Sequence, residues 1–291
     1  KNTIYLFPPA AAGECAAPKL LQYAFLNQLK PICIAEFWWG ASPNSEVRLH
    51  KQFYPACKSK CEPILKHMLD GIEMDTNPML AQADVTDLEI IFEDDYLLFI
   101  NKPAEFLSVP GKQLTDSVYE RVKASYPNTT GPLLVHRLDM STSGILMIAK
   151  SKEIHKLMQT QFLNKGIQKS YVALLEGFIE KNEGEIDLPL RGDFDDRPKQ
   201  LVCHEFGKAA KTKFRVLSRE GNTTRILFSP ITGRTHQLRV HAAHHLGLGC
   251  PILGDDLYGT KSTRLYLHAQ ELIFIHPISK QQQRVYCKAP F

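Results

Sequence analysis

The segment 136–144, HRLDMSTSG, constrains this 291-residue chain more than any other. It places a carboxylate, Asp139, between a guanidinium and a hydroxyl-rich turn that ends in glycine. The apolar run at 145–149 predicts a buried strand, so Asp139 is expected on a loop leading into a rigid element, where a catalytic group can be held in fixed geometry. An aspartate before a Ser/Thr/Gly cluster can also simply cap a turn. Residue type alone leaves both interpretations open.

The chain after residue 87 predicts a mixture of strands and helices. Apolar residues at helical spacing behind Ser151, a typical N-cap, predict a helix at about 152–164, and 116–124 is also predicted to be helical. Runs rich in β-branched, aromatic or leucine residues predict strands at 88–92, 96–100, 171–175, 213–217, 224–228, 264–268 and 271–275. The sequence therefore predicts an α+β fold with a dominant antiparallel or mixed sheet.

Charge is distributed unevenly along a chain whose net charge is only +4. Residues 201–250 contain three Lys and five Arg against two Glu, a local balance of +6, whereas 81–100 contain six acidic residues and no basic one. A basic segment attracts polyanions, although it can also be a solvated surface. No membrane span or signal peptide is evident, and the seven cysteines suit a reducing compartment. We therefore expect a cytoplasmic protein.

Three motifs in a fixed order carry a resemblance to a known family. Besides HRLDMSTSG, they are QKSYVAL at 168–174 and ITGRTHQLR at 231–239. In this combination the chain resembles the RluA family of RNA pseudouridine synthases, whose nucleophile is the aspartate of HRLD. Shorter likenesses extend the resemblance from about residue 88 to the last residue: NKP at 101–103, PILGD at 251–255, LYG at 257–259 and LHA at 267–269.

The resemblance implies the pseudouridine synthase fold, a bent sheet with a central catalytic cleft. The catalytic domain is then expected at 86–291, after an accessory region and linker at 1–85, in which the linker spans 71–85. The implied reaction detaches uracil from ribose, turns it and rejoins it through ring carbon 5, so no cofactor is expected. Asp139 matches the nucleophile, and both covalent attack and an elimination route remain open. Arg234 is its expected cationic partner, and Tyr171 is expected to stack on the base and assist proton removal.

The implied partner is RNA, and the protein is expected to be a monomer without membrane attachment. The target uridine must be flipped out at a cost of about a few kcal/mol. Arg137 is expected to enter the vacated space or hold the backbone, with a structural ion pair as its alternative role. Other predicted RNA contacts are His136, Lys169, Lys199 and Arg239.

Substrate and activity have ranked alternatives. The segment DRPKQLVCHE at 196–205 resembles the RluA subgroup, which modifies 23S ribosomal RNA and tRNA anticodon stem-loops. The additional N-terminal region departs from that subgroup's compact pattern, so we rank ribosomal RNA first and tRNA second. The alternative to an isomerase is a noncatalytic RNA-binding or RNA-chaperone module.

Histidines and cysteines outside the motifs raise the question of a metal. His241 and His245 are four residues apart, but no HExxH pattern follows, so we predict no metal in the active site. Cys57 and Cys61 could belong to a zinc site or be buried thiols. The aromatic run FWW at 37–39, with several lysines downstream, could form an accessory surface for stacking and phosphate binding or belong to a core.

Overall fold

The computed structural model describes residues 10–42, 48, 50–54, 56, 60–72, 87–111, 114 and 116–291. The chain divides into two compact units, Lys1–Asp75 and Thr76–Phe291. The first contains helices α1 (Ala16–Leu26) and α2 (Glu62–Met68) and an antiparallel bridge between Phe37 and Phe53. The predicted linker at 71–85 lies almost wholly outside the described residues, and the predicted boundary at 85 stays a prediction.

The second unit is α+β, which confirms the predicted fold class. Its helices are α3 (Val118–Ser125), α4 (Lys152–Leu163) and α5 (Gln237–Ala243). Ser151 caps α4 as predicted, because its side chain accepts a hydrogen bond from the Ile154 amide. The strands are β1 (Glu89–Glu93), β2 (Leu97–Lys102), β3 (Ser143–Ala149), β4 (Gln168–Glu176), β5 (Glu183–Asp187), β6 (Leu190–Gly192), β7 (Gln200–Val202), β8 (Lys211–Glu220), β9 (Thr223–Pro230), β10 (Leu267–Ile275) and β11 (Gln282–Tyr286).

Nine of these strands form one mixed sheet in the order β1-β2-β3-β10-β4-β9-β8-β5, with β11 added to β10. Strands β6 and β7 form a separate hairpin. The β3–β10 pair is parallel, through His268 with Ser143 and Ala269 with Gly144, and the other described pairs are antiparallel. The parallel pair therefore brings the end of the HRLD motif into the middle of the sheet.

Gly144 is required by this parallel pair. Its φ of +112° lies in the region that favours glycine. A Cβ at this position would overlap the backbone of Ala269 on the neighbouring strand. The glycine at the end of the motif therefore allows β3 and β10 to approach each other just beyond the loop that carries Asp139.

Strand β3 is buried along its whole length because helices cover both faces of this part of the sheet. Ile145 and Met147 pack in one cluster with Ile154 and Met158 of α4. Leu146 and Ile148 pack on the other face with residues that include Val118 and Val122 of α3. Burial on both faces explains why the sequence at 145–149 is a continuous apolar run instead of an alternating one.

One predicted division of the sheet is wrong. The sequence predicts separate strands at 264–268 and 271–275, but the structure has a single strand, β10. Its register against β4 shifts between Ala269 and Glu271, where its other neighbour changes from β3 to β11. A register shift interrupts the side-chain alternation as a strand end does, so the pattern alone did not distinguish them.

Candidate active site

The loop that carries Asp139 is held through the backbone of its neighbours. Lys102, at the end of β2, is fully buried and donates from Nζ to the carbonyl oxygens of Pro103, Phe106 and Met140, at 2.7, 2.6 and 2.9 Å. Ser108 Oγ donates to the Leu138 carbonyl at 2.8 Å. The residues on both sides of Asp139 are therefore fixed by one neighbouring loop.

The charge state of Lys102 matters for this arrangement. Burial lowers its pKa to about 7, while the negative charges of Glu105 and Asp139 act in the opposite direction. An ammonium group has three protons to donate, which matches the three carbonyl oxygens around it. The protonated form therefore satisfies the whole cage, and the NKP motif at 101–103 has a structural explanation.

Asp139 lies half-buried at the edge of a cavity of about 280 Å³. Within the described part of the chain, its carboxylate has no hydrogen-bond or ion-pair partner. The cavity brings together most of the predicted site residues; its lining includes His136, Arg137, Asp139, Lys169, Tyr171, Arg234 and Arg239. Residues separated by a hundred positions in sequence therefore share one pocket.

Tyr171 reaches the cavity from β4, two strands away from β3. It pairs with Ala269 of β10, which in turn pairs with Gly144 of β3. Burial and the negative charge of Asp139 raise the pKa of the Tyr171 hydroxyl. The phenol therefore keeps its proton at neutral pH and faces the same cavity as an unpaired carboxylate.

The predicted ion pair between Asp139 and Arg234 is absent. Arg234 is exposed, and its Nε donates to the Ala209 carbonyl at 3.0 Å. The prediction assumed a closed pocket in which a carboxylate needs a cation. Asp139 is only half-buried, so water can solvate it, and an ion pair at an exposed arginine contributes little. Arg234 nevertheless lines the same cavity.

Gln237 organises the turn that presents Arg234. Its Oε1 accepts hydrogen bonds from the Arg234 amide at 3.0 Å and from Thr232 Oγ1 at 2.7 Å. Its Nε2 donates to the Lys211 carbonyl and to Thr212 Oγ1. The glutamine of the third motif therefore fixes this loop to strand β8, a role that no local pattern in the sequence predicts.

His236 and Tyr258 connect the same turn to the β6–β7 hairpin. His236 has a φ of +52°, and its Nδ1 lies 2.8 Å from the Tyr258 hydroxyl. That hydroxyl accepts a hydrogen bond from the Gln200 amide at 2.7 Å. Burial lowers the pKa of His236. The LYG sequence at 257–259, noted only as a likeness, contains this connecting tyrosine.

Arg239 is not free to contact RNA, which corrects the prediction for this residue. Its guanidinium is buried and makes two hydrogen bonds to Asp255, Nε to Oδ2 at 2.8 Å and Nη2 to Oδ1 at 2.5 Å. A further bond joins it to Asp256 at 3.0 Å. Its charge is committed to these carboxylates, so it holds helix α5 to the loop that contains PILGD.

The other predicted RNA contacts differ in their surroundings. Arg137 is exposed at the cavity. His136 Nε2 accepts a hydrogen bond from the Met147 amide, and burial lowers the pKa of this histidine to about 3, so its ring is neutral. Burial also lowers the pKa of Lys169. Lys199 is outside the cavity lining and pairs with Asp196 at 2.7 Å. Their contacts with RNA stay predictions.

His241, one of the two histidines considered as metal ligands, has other partners. His241 is buried, with Nδ1 3.0 Å from Thr212 Oγ1 and Nε2 3.2 Å from the Leu188 carbonyl. Among the described residues, no group of three His, Cys, Asp or Glu side chains could hold a metal ion. Cys57 lies outside the described residues, and Cys61 is buried with its Sγ accepting from the Gly13 amide.

No described helix is long and apolar enough to cross a membrane.

Comparison with known proteins shows which family the chain that forms this cavity belongs to. Residues 96–244 match the family model for RNA pseudouridylate synthases. The chain is 45% identical over 227 residues to the dual-specificity RNA pseudouridine synthase RluA of Vibrio parahaemolyticus, covering 73% of this chain and 88% of that protein. The chain belongs to the RluA family of RNA pseudouridine synthases. The Escherichia coli K12 relative of the same name is 43% identical over 198 residues, covering 65% of this chain and 88% of that protein.

Solved structures agree with this membership. The RluA-family chain described here aligns with human RNA pseudouridylate synthase domain containing 1 with a TM-score of 0.61 and 27% identity, over 73% of this chain and 87% of that one. For human RNA pseudouridylate synthase domain containing 4, the TM-score is 0.56 and the sequence identity is 28%, over 69% of this chain and 88% of that one. The protein is therefore an isomerase with the pseudouridine synthase fold. The family model begins at residue 96, so the first compact unit lies outside it.

Proposed function

We propose that this enzyme converts uridine to pseudouridine in two kinds of RNA, tRNA anticodon stem-loops and 23S ribosomal RNA. The observation that carries the chemistry is the unpaired carboxylate of Asp139 in a cavity shared with Tyr171 and Arg234. Support for two substrates comes from relatives named as dual-specificity enzymes. The resemblance of the segment 196–205 to the RluA subgroup adds to it.

Asp139 is the residue proposed to act on the flipped nucleotide. The bond between ribose C1′ and uracil N1 breaks, and a new bond joins C1′ to C5 after the base has turned. Asp139 either attacks the sugar or removes a proton from it in an elimination, and it is released again when the new bond forms. The proton lost from C5 is balanced by the one gained at N1, so the reaction is an isomerisation.

Tyr171 is proposed to hold the base and relay the proton from C5. Its ring lies at the cavity, where it can stack on uracil. Because its pKa is raised, the hydroxyl must pass on its own proton as it accepts another, instead of acting as a preformed phenolate. Arg137 and Arg234 are proposed to contact the backbone of the flipped nucleotide, since both are exposed guanidinium groups at the cavity.

The test uses two transcripts labelled with tritium at uracil C5, a tRNA anticodon stem-loop and a 23S ribosomal RNA stem-loop. Isomerisation releases the label into water, so both transcripts should lose label in the presence of the purified protein. Matched transcripts whose target uridine is replaced by cytidine should lose none from that position. Release from only one RNA would overturn dual specificity. Binding of both without release would favour the RNA-chaperone alternative, and free uracil would indicate a glycosidase.

A further inference from the structure

The first compact unit carries a cluster of aromatic residues on two extended segments. Phe37 and Phe53 form an antiparallel bridge. The Trp38 amide donates to the Gln52 carbonyl at 2.9 Å, and the Lys51 amide donates to the Trp38 carbonyl at 2.7 Å. We call the set Phe37, Trp38, Trp39, Phe53 and Tyr54 the aromatic ladder. Its spacing is fixed by backbone hydrogen bonds.

Three rings of the aromatic ladder are exposed to solvent over more than half of their surface. The exposed fractions are 52% for Phe37, 69% for Trp39 and 71% for Phe53. Phe37 contacts both of the others edge to face, with ring centroids 6.3 and 6.2 Å away. A single exposed ring is ordinary, but three adjoining rings form a surface of the kind that binds another molecule.

Cations accompany the rings. Lys51 Nζ lies 5.6 Å from the centre of the Trp39 ring, and the Arg48 guanidinium lies 5.2 Å from Trp38 and 5.0 Å from Tyr54. Residues 48–61 contain one Arg and three Lys and no acidic residue. Positive charge interleaved with exposed rings matches a partner that offers both phosphates and flat ring faces.

We propose that the aromatic ladder binds unpaired nucleotides that flank the target stem-loop of the RNA substrate. Bases stack on Trp39, Phe37 and Phe53, while Arg48 and Lys51, the cations that lie against the rings, attract the phosphates. A duplex conceals its base faces, so the surface selects single-stranded segments. A second copy of this chain is disfavoured as occupant, because like charges of both copies would then meet. The proposal rests only on the enzyme acting on RNA, whichever RNA that is.

The chain contains its own reporter for this surface. Its two tryptophans, Trp38 and Trp39, both belong to the aromatic ladder. Intrinsic tryptophan fluorescence of the 291-residue chain therefore reports on this surface alone. Titration with a single-stranded oligouridylate should change that fluorescence to saturation, with an affinity that falls as salt is raised. A duplex RNA of equal length should produce much less change. No change with oligouridylate would overturn the proposal.

Variants separate stacking from general loss of apolar surface. Trp39→Ala and Phe53→Ala should each weaken oligouridylate binding about 5- to 150-fold, the effect of losing one stacked base. Leu26→Ala is the matched control, since Leu26 is 73% exposed on α1 outside the aromatic ladder, and it should bind normally. Affinity can be measured by anisotropy of a labelled oligouridylate, which does not depend on tryptophan.

Turnover distinguishes this proposal from the proposed function. On a minimal stem-loop without single-stranded flanks, Trp39→Ala should release C5 tritium at the wild-type rate. On the same stem-loop with an unpaired flank, its KM should rise while kcat is unchanged. Equal affinity and KM for Trp39→Ala and wild type would contradict the proposal. So would a wild-type dimer that Trp39→Ala dissociates, since it would assign the surface to a second copy.

Discussion

At the scale of single residues, the candidate active site depends on backbone contacts around Asp139. Lys102 and Ser108 hold the Met140 and Leu138 carbonyls, while the Asp139 carboxylate has no partner in the described part of the chain. A group fixed through its neighbours keeps its lone pairs available. This arrangement suits a residue that must act on a substrate atom.

Tyr171→Phe separates stacking from proton relay. The variant keeps the ring and loses only the hydroxyl, so we expect RNA affinity to stay within about twofold and kcat to fall by about 100-fold or more, the range for general acid–base groups. Tritium release at saturating RNA under multiple turnover gives kcat, and filter binding gives affinity. Normal turnover by this variant would remove Tyr171 from proton transfer.

We expect the stability of the fold to depend on pH through His268, which lies beside Ser143 of the HRLDMSTSG segment. Arg264 donates to Ser143 Oγ at 2.6 Å, Ser143 Oγ lies 2.9 Å from His268 Nδ1, and His268 Nε2 lies 3.2 Å from the Cys287 carbonyl. Burial lowers the pKa of His268 from 6.5 to about 4. The unfolded chain therefore takes up the proton first as pH falls.

The stability contributed by neutral His268 is present above about pH 6.5 and is lost as pH falls towards 4, by at most about 1.4 kcal/mol per pH unit. In His268→Gln, a donor and an acceptor remain but nothing titrates. Denaturant unfolding at pH 7 and pH 5 should show a smaller loss of stability for this variant than for wild type. Equal losses would assign the pH dependence to other groups.

At the scale of elements, the parallel pair of β3 and β10 decides where the loop that carries Asp139 ends. Gly144 has a φ of +112°, and a side chain there would overlap Ala269. Because β4 lies on the other side of β10, the same pair sets the distance from the Asp139 loop to Tyr171. The geometry of the site therefore depends on one close approach of two strands.

Gly144→Ala should destabilise the protein by about 2–5 kcal/mol, since it combines an unfavourable φ with overlap in a packed sheet. Gly221→Ala is the matched control. Gly221 also has a positive φ, +57°, but no atom lies within 4 Å of a Cβ there, so the cost should be only about 1–2 kcal/mol. Denaturant midpoints measure both, and equal costs would show that crowding at Ala269 is unimportant.

The sequence predicted those parts of the structure that follow from local pattern. Apolar runs and the Ser151 cap located β3 and α4 to within two residues. Long-range side-chain partners were not predictable in this way. Nothing local reveals that Arg239 faces Asp255, or that Arg234 bonds to Ala209 instead of Asp139. Such choices depend on burial, which the fold decides.

At the scale of the whole molecule, an RluA-family catalytic unit is accompanied by a first unit outside the family model. The second unit brings Asp139, Tyr171 and Arg234 to one cavity. Its histidines His236 and His241 are hydrogen-bonded to Tyr258 and Thr212. The first unit adds an exposed aromatic surface of its own. Recognition and chemistry can therefore be tested separately.

Chelation tests whether the chemistry belongs to side chains alone. With Asp139 and Tyr171 performing the reaction, excess EDTA should leave the initial rate unchanged on an RNA whose fold needs no magnesium. His241→Ala should lower stability, because it leaves Thr212 and Leu188 without this partner, and should leave kcat within about twofold. Activity lost to EDTA and restored by zinc would contradict this account.

The most direct measurement is tritium release from a C5-labelled RNA stem-loop by wild type and by Asp139→Asn, with RNA affinity measured for both. The substitution keeps the shape of the side chain but removes its charge and nucleophile. Phosphate contacts supply most of the binding energy, so affinity should be nearly unchanged. The account predicts release by wild type and none above background by Asp139→Asn. Substantial release by the variant would show that another group carries the reaction.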